Sequence, residues 1–326
     1  HQPIEVPGQS LHLSACAGVA LFPRDADSVD TLMQRADNAM RAAQSRGGGL
    51  RFYCPDSDAA AERKLKIEQM LSEALDQDEL RVAYQPIVNV ADDRVHAVEA
   101  LLRWSRPDGT VIRPMEFVPV AEESGLMLRL GDFVLRQACK QAAAWHRAGI
   151  KTPTMCVNVA KVQLMEGDFV ERVERILAET GLAPQYLELE LSERGVLGGD
   201  GDVVSQLHAL RALGVRLSLD DFGTGESAIG YLKELPIDVL KIDRSYVTDI
   251  VGNSRDAAIA SAMVALGQGL GLEVIAEGVE EEGQLEALKR LSCNYYQGFL
   301  FGKAAPPEAV EKLLATTTSL TVQAGA

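Results

Sequence analysis

Apolar and polar positions divide the chain into a short opening piece and a long repeating one. Leu11 to Phe22 reads as a strand pair, Ser28 to Gln44 as an amphipathic helix and Arg51 to Tyr53 as a short strand. This is too little chain to close a core by itself, so residues 1–57 read as a small α/β fragment. A polar stretch from Asp56 to Arg63 precedes a helical pattern with Ile67, Met70, Leu71, Ala74 and Leu75 on one face. That helix reads either as a connector over residues 58–78 or as the first helix of the longer repeating piece.

From Val82 onward strand and helix patterns alternate. Strand patterns fall at 82–88, 95–103, 155–160, 187–191, 216–221, 239–243, 273–278 and 295–301. Helical patterns fall at Asp132–His146, Phe169–Thr180, Val203–Leu213, Ala257–Gly267 and Glu281–Leu291. Eight such units predict an α/β fold over residues 79–318, a (β/α)8 TIM-like barrel, with residues 319–326 as a tail. No glycine-rich fingerprint follows the first strand, which disfavours an open dinucleotide-binding sheet. The turn around Ala91 to Arg94 is too short for a helical crossover. The first two strands are therefore expected to be antiparallel, making the barrel irregular at its start.

Polar residues interrupt these strands near their C-terminal ends, where a barrel gathers its chemistry on one face. They are Gln85, Glu99, Asn158, Glu190, Asp220 with Asp221, Lys241 with Asp243, Glu277 and Gln297. Singly, each has an ordinary reading as a helix cap, a rim residue or a satisfied amide. Jointly, Glu99, Asn158, Glu190, Asp220, Asp221 and Glu277 place five carboxylates and an amide in one pocket, with Lys241 and Arg103 nearby. Carboxylates so gathered repel unless cations compensate. All-oxygen donors select Mg²⁺ or Mn²⁺, and adjacent aspartates suit two ions with one carboxylate bridging. Lys241 would orient or deprotonate a water, and Arg103 would hold a phosphate oxygen. The implied chemistry is metal-assisted phosphodiester hydrolysis. A barrel enzyme acting on a phosphorylated sugar would share the carboxylates.

Composition narrows the partners. The chain has 326 residues, a formal charge of −15 and 47% hydrophobic residues. The charge argues against binding DNA or RNA backbones but not against a small anion reached through divalent cations. The apolar stretch Ala258–Ala276 is broken by Gln268, glycines and Glu273, so no membrane insertion is expected. The five cysteines (16, 54, 139, 156 and 293) form no CxxC pair and point to a reducing, cytoplasmic setting. The five histidines show no ligand spacing.

YQPI, EALLRW, VNVA, ELSE, DDFGTG, LKID, AEGVE and YYQGFLF occur in the order and spacing of EAL domains. Residues 66–318 thus resemble a cyclic di-GMP phosphodiesterase, and FGKAAPP near the end lacks the usual serine and one proline. The resemblance implies an irregular barrel that opens cyclic di-GMP to pGpG with two Mg²⁺ or Mn²⁺. Glu99, Asn158, Glu190 and Asp220 would hold the first ion, with Asp220 bridging and Asp221 and Glu277 completing the second. Lys241 would act on the water, Glu280 would support the site, and Gln85, Arg103 and Gln297 would contact the dinucleotide. Glu193 would steady the loop after DDFG, and a homodimer through the barrel-top helices is implied. Some members bind cyclic di-GMP without hydrolysing it; those usually lose EAL or metal ligands, which this chain retains.

Four further positions depart from the family pattern: Ala160, Arg194, Glu226 and Ala228. None is a predicted metal ligand. LSACAGVALFP and RADNAMRAAQSRGGGLRFY resemble the last strands and helix of a GGDEF-type diguanylate cyclase domain. The GGDEF signature itself is not in this sequence, and Gln44 stands where active cyclases usually carry a lysine. No cyclase activity is expected, and the parent would be a tandem GGDEF–EAL protein, in some cases membrane-anchored.

Overall fold

A computed structural model describes residues 4–6, 9–11, 15–44, 49–150, 153–196, 201–224 and 229–315. The chain separates into two compact units, His1–Glu73 and Ala74–Ala326.

In the first unit β1 (Ile4–Val6) and β2 (Gln9–Leu11) form an antiparallel ribbon. β3 (Cys16–Val19) lies parallel to β4 (Gly49–Phe52), with helix α1 (Val29–Gln44) between them in sequence. The strand pair expected within Leu11–Phe22 is therefore corrected. β3 takes its partner from across the helix, because a helical crossover returns the chain in the same direction. Gly18 allows this packing: a Cβ there would collide with the α1 backbone at Ala36 and Met40. Met33, Leu50 and Phe52 are exposed. Helix α2 (Pro55–Ala74) starts at Pro55, so the polar stretch 56–63 is also helical. Proline suits a first helical position, and alanine, glutamate and lysine are good helix formers.

The second unit is a closed barrel. Its strands are β5 (Leu80–Asn89), β6 (Val95–Ser105), β8 (Thr154–Val159), β9 (Leu187–Ser192), β10 (Arg216–Phe222), β11 (Val239–Ile242), β12 (Glu273–Ala276) and β13 (Tyr295–Tyr296). The hairpin strand β7 (Val111–Ile112) adds to β6 outside the ring. β5 is antiparallel to both neighbours and every other junction of the ring is parallel. The fold is the irregular (β/α)8 barrel expected, with one reversed strand. β13 is shorter than the expected 295–301 because the chain turns at Gly298. That turn lies backbone-to-backbone on Val279.

Alternation along the strands separates the two faces. Leu187, Leu189 and Leu191 join the outer core beneath the helices, whereas Glu188 and Glu190 take the other face. The inward set Ile87, Ala97, Cys156, Val239, Ile275 and Tyr295 forms its own apolar cluster. Each of these lies two residues, and so one same-face step, from Gln85, Glu99, Asn158, Lys241, Glu277 or Gln297 respectively. An apolar floor thus underlies the polar layer. At the level of this floor Glu188 lies opposite Cys156 and Glu273 opposite Val239; Arg216 pairs with Glu188 (3.2 Å) and Glu273, and Tyr295 donates to Glu273 at 3.3 Å.

Gly298→Ala is expected to cost about 3 kcal/mol or more, because its Cβ would meet Val279 backbone that cannot rotate away. Gly149→Ala, in open space at φ 76°, should cost only about 1 kcal/mol of backbone strain. Urea unfolding of both variants measures the difference.

Candidate metal centre and active site

The DDFG segment solves its own geometric problem. Adjacent aspartates on a regular strand would face opposite ways, but β10 bulges against β11 between Leu219 and Phe222. Asp221 adopts the left-handed conformation, φ 55°, which aspartate tolerates better than most residues. As a result carboxylate oxygens of Asp220, Asp221 and Glu277 come within 4.8 Å of one another. The backbone at the bulge is tied down: Asp221 N–H donates to Asp220 Oδ1 (2.9 Å) and Thr224 Oγ1 donates to Asp221 O (2.9 Å).

Lys241 stands at the centre. Its side chain is fully buried, with Nζ 2.7 Å from Glu277 Oε1, 2.9 Å from Glu190 Oε1 and 3.5 Å from Asp220 Oδ1. Beside it Glu99 accepts from Asn158 Nδ2 at 2.7 Å and from Gln297 Nε2 at 2.6 Å. Gln85 faces Glu99 across the β5–β6 ladder and donates to Gly302 O at 3.1 Å. Three of the six residues expected as metal ligands, Glu190, Asp220 and Glu277, therefore contact Lys241; Asp221 adjoins two of them, and Asn158 and Gln297 hold Glu99. Arg103 lies two same-face steps along β6 from Glu99; it is half-buried and donates to its neighbour's carbonyl, Leu102 O. Glu193 is buried and accepts from Gly223 N–H at 2.9 Å. Glu280 is exposed, and its N–H donates to Gln284 Oε1. Glu226 and Ala228 lie outside the described residues, and of Arg194 only the backbone, in the short helix Glu193–Val196, is described.

Burial governs the electrostatics. It pushes Glu190 well above the usual carboxylate range, against the pull of Lys241 and with the help of Glu99 and Asp220. It also pushes Glu277 up to about 8. Burial opposes the charge on Lys241, but the fields of Asp220, Glu190, Glu277 and Glu99 together outweigh it. They hold the ammonium well above the ordinary lysine range. One cation is too few for this group. Both Glu190 carboxylate oxygens are buried without a hydrogen-bond donor, although Lys241 lies at ion-pair distance. Under-satisfied buried oxygens beside further carboxylates, with no imidazole among them, fit hard divalent ions.

The sequence reading missed one pair here. Cys156 and Glu188 are both buried, with Cys156 Sγ 3.7 Å from Glu188 Oε1, and with Glu190 they form a second group of potential metal donors. The alternation of LELEL carries the signal, since Glu188 must share Glu190's face. Glu188 is compensated by Arg216, which sets it apart from the upper carboxylates.

A closed barrel with a carboxylate layer around a buried lysine at its C-terminal face is an arrangement that could hold divalent metal ions. Residues 68–304 match the EAL domain family, and the chain belongs to it. It is 38% identical over 96% of its length to the cyclic di-GMP phosphodiesterase NbdA of Pseudomonas aeruginosa. It is 40% identical over 94% to the bifunctional diguanylate cyclase/cyclic di-GMP phosphodiesterase MucR of the same organism. The chain spans only 40% and 45% of those relatives. Among solved structures, the PaMucR phosphodiesterase in complex with c-di-GMP is 41% identical with a TM-score of 0.73, covering 75% of this chain and 99% of that one. The EAL enzyme Bd1971 bound to cAMP and cyclic-di-GMP is 30% identical with a TM-score of 0.75, covering 89% and 77%. Among the described residues no helix is long and apolar enough to cross a membrane.

The raised Glu277 gives a pH signature to the metal-free protein. Its folded pKa of about 8 exceeds the unfolded 4.5, so the folded chain prefers the proton. The resulting stability is complete below pH 4.5 and is lost as pH rises through 8. In chelator, Glu277→Gln should therefore gain thermal stability relative to the parent between about pH 5 and 8. Mn²⁺ should raise the parent's melting temperature more at about pH 8 than at about pH 5. Differential scanning calorimetry at both pH values checks both effects.

Proposed function

We propose that this chain hydrolyses cyclic di-GMP to linear pGpG with two Mg²⁺ or Mn²⁺ ions. The observation that carries the reading is the group Glu99, Asn158, Glu190, Asp220, Asp221 and Glu277 around buried Lys241. Named relatives that act on or bind this dinucleotide support the substrate. Glu99, Asn158, Glu190 and Asp220 would hold one ion, and Asp221 and Glu277 would complete the second around a bridging Asp220. The ions would supply an activated water and charge neutralisation at the phosphate.

The protein's own groups do the rest. Glu99 is pre-oriented by the Asn158 and Gln297 amides, so its carboxylate holds one direction before any ligand arrives. Lys241, held as an ammonium by its carboxylates, points a proton donor into the layer. Ions neutralising those same carboxylates would lower its pKa toward the range in which a lysine exchanges protons with water. Gln85, Arg103 and Gln297 would contact the dinucleotide, and Glu280 would support the site from its edge.

Residues 1–57 we read as the C-terminal part of a GGDEF-like domain, joined through residues 58–78 to the EAL domain at 79–318. The parallel β3–α1–β4 unit and its exposed Met33, Leu50 and Phe52 support a piece of a larger sheet domain. Both Pseudomonas relatives align over more than nine-tenths of this chain, which takes in most of that piece. A homodimer through the barrel-top helices and a cytoplasmic setting complete the proposal.

Incubation with cyclic di-GMP and Mg²⁺ or Mn²⁺ should yield pGpG by chromatography. Glu99→Gln and Asp220→Asn should each lower turnover at least ~100-fold. Lys241→Met should lower kcat while leaving a measurable dissociation constant for the substrate. Tight binding without turnover under both metals would replace the enzyme reading with that of a receptor.

A further inference from the structure

We propose that Tyr246 is a positioning residue for the second cation, acting through Gly223 on Asp221. The inference rests on the two-ion reading and adds to it a residue outside the acidic cluster.

Asp221 reaches the Asp220–Glu277 group only because its backbone is left-handed, φ 55°, and Gly223 follows at φ 94°. A non-glycine residue in this conformation costs energy and persists only where its surroundings over-determine it. Both backbone polar groups of Gly223 are held by side chains from two different strand ends. Its N–H donates to Glu193 Oε2 at 2.9 Å, from the end of β9. Its carbonyl accepts from the Tyr246 hydroxyl at 2.6 Å, from the turn after β11. The two anchors pull on one residue from either side.

Tyr246 is itself fixed. It ends the single turn Arg244–Tyr246, whose start is capped by Asp243 accepting from Ser245 N–H at 3.0 Å. The Tyr246 ring and Met263, from the helix Ser254–Gly269, leave no room for a Cβ at residue 223, so the loop lies tight against both. β11 thus delivers Lys241 to the carboxylates and, five residues later, the hydroxyl that sets the neighbouring loop. The hydroxyl's hydrogen bond goes to the Gly223 carbonyl. Its effect must pass through the Gly223 peptide to the placement of Asp221, which belongs to the second ion alone under that reading.

Tyr246→Phe removes this hydrogen bond and keeps the ring that packs on Gly223. Mn²⁺ binding to the whole chain, followed by electron paramagnetic resonance with pGpG present, should show two ions in the parent. In the variant one ion should bind roughly 10-fold less tightly and the other should be unchanged. The Mn²⁺ concentration giving half-maximal turnover should rise by a similar factor. Glu193→Gln should produce the same signature, and the double variant should lose less than the product of the two single losses. The melting temperature in chelator should stay within about 2 °C of the parent for Tyr246→Phe, only one hydrogen bond being lost.

Unchanged affinity at both ions in Tyr246→Phe would overturn the inference while leaving the two-ion site intact. Equal weakening of both ions together with a large drop in melting temperature would overturn it too, assigning the tyrosine to general stability. A parent that binds a single Mn²⁺ under all conditions would remove the two-ion reading and this inference with it.

Discussion

The fully buried ammonium of Lys241 among Glu190, Asp220 and Glu277 is the constraint on which the rest of the barrel depends. A buried lysine is costly by desolvation, and so is each of its carboxylates. Neither side is tolerable alone. The group holds because eight strands close around it, because the amides of Asn158 and Gln297 occupy Glu99, and because an apolar cluster of Ile87, Ala97, Cys156, Val239, Ile275 and Tyr295 lies beneath. That floor keeps the local dielectric low and the interactions above it strong. The same burial leaves the Glu190 oxygens short of donors, a deficit that one lysine does not meet.

Two polar layers in one barrel thus have different characters. At the level of the floor, Arg216 lies between Glu188 and Glu273, and Tyr295 adds a hydroxyl to Glu273, so both carboxylates have a cationic partner. At the C-terminal face, carboxylates outnumber the buried cation. Buried oxygens left without donors, as on Glu190, would favour a hard cation more than carboxylates already held by a guanidinium. The proposed chemistry therefore belongs to the upper layer.

Much of this was legible in the sequence. Strand spacing and the short turn at Ala91–Arg94 carried the barrel and its reversed strand, since crossover length dictates direction. The polar interruptions carried the site, because alternation places residues such as Glu99 and Glu190 on the inner face. Pairing within the first unit was not legible: β3 and β4 are far apart in sequence and their strands are too short for pattern to name a partner. Glu188 was legible too, since strand alternation puts it on the face of Glu190. Glu280, named by its motif alone, is exposed, with its N–H on Gln284 Oε1.

What no pattern could supply was the bulge. On a regular strand Asp220 and Asp221 diverge, so the DD pair alone argues against a shared ion. The left-handed Asp221 reverses that argument, and it is a local distortion stabilised from elsewhere: by Thr224, by Glu193 across Gly223, and by Tyr246 from the neighbouring strand end. None of those residues belongs to the proposed ligand set. Their contribution is to hold a backbone conformation that the free chain disfavours, so that a carboxylate is already in place when a cation arrives. The ligand set at this barrel face is therefore a property of several strand ends acting on one peptide, and only the three-dimensional fold assembles it.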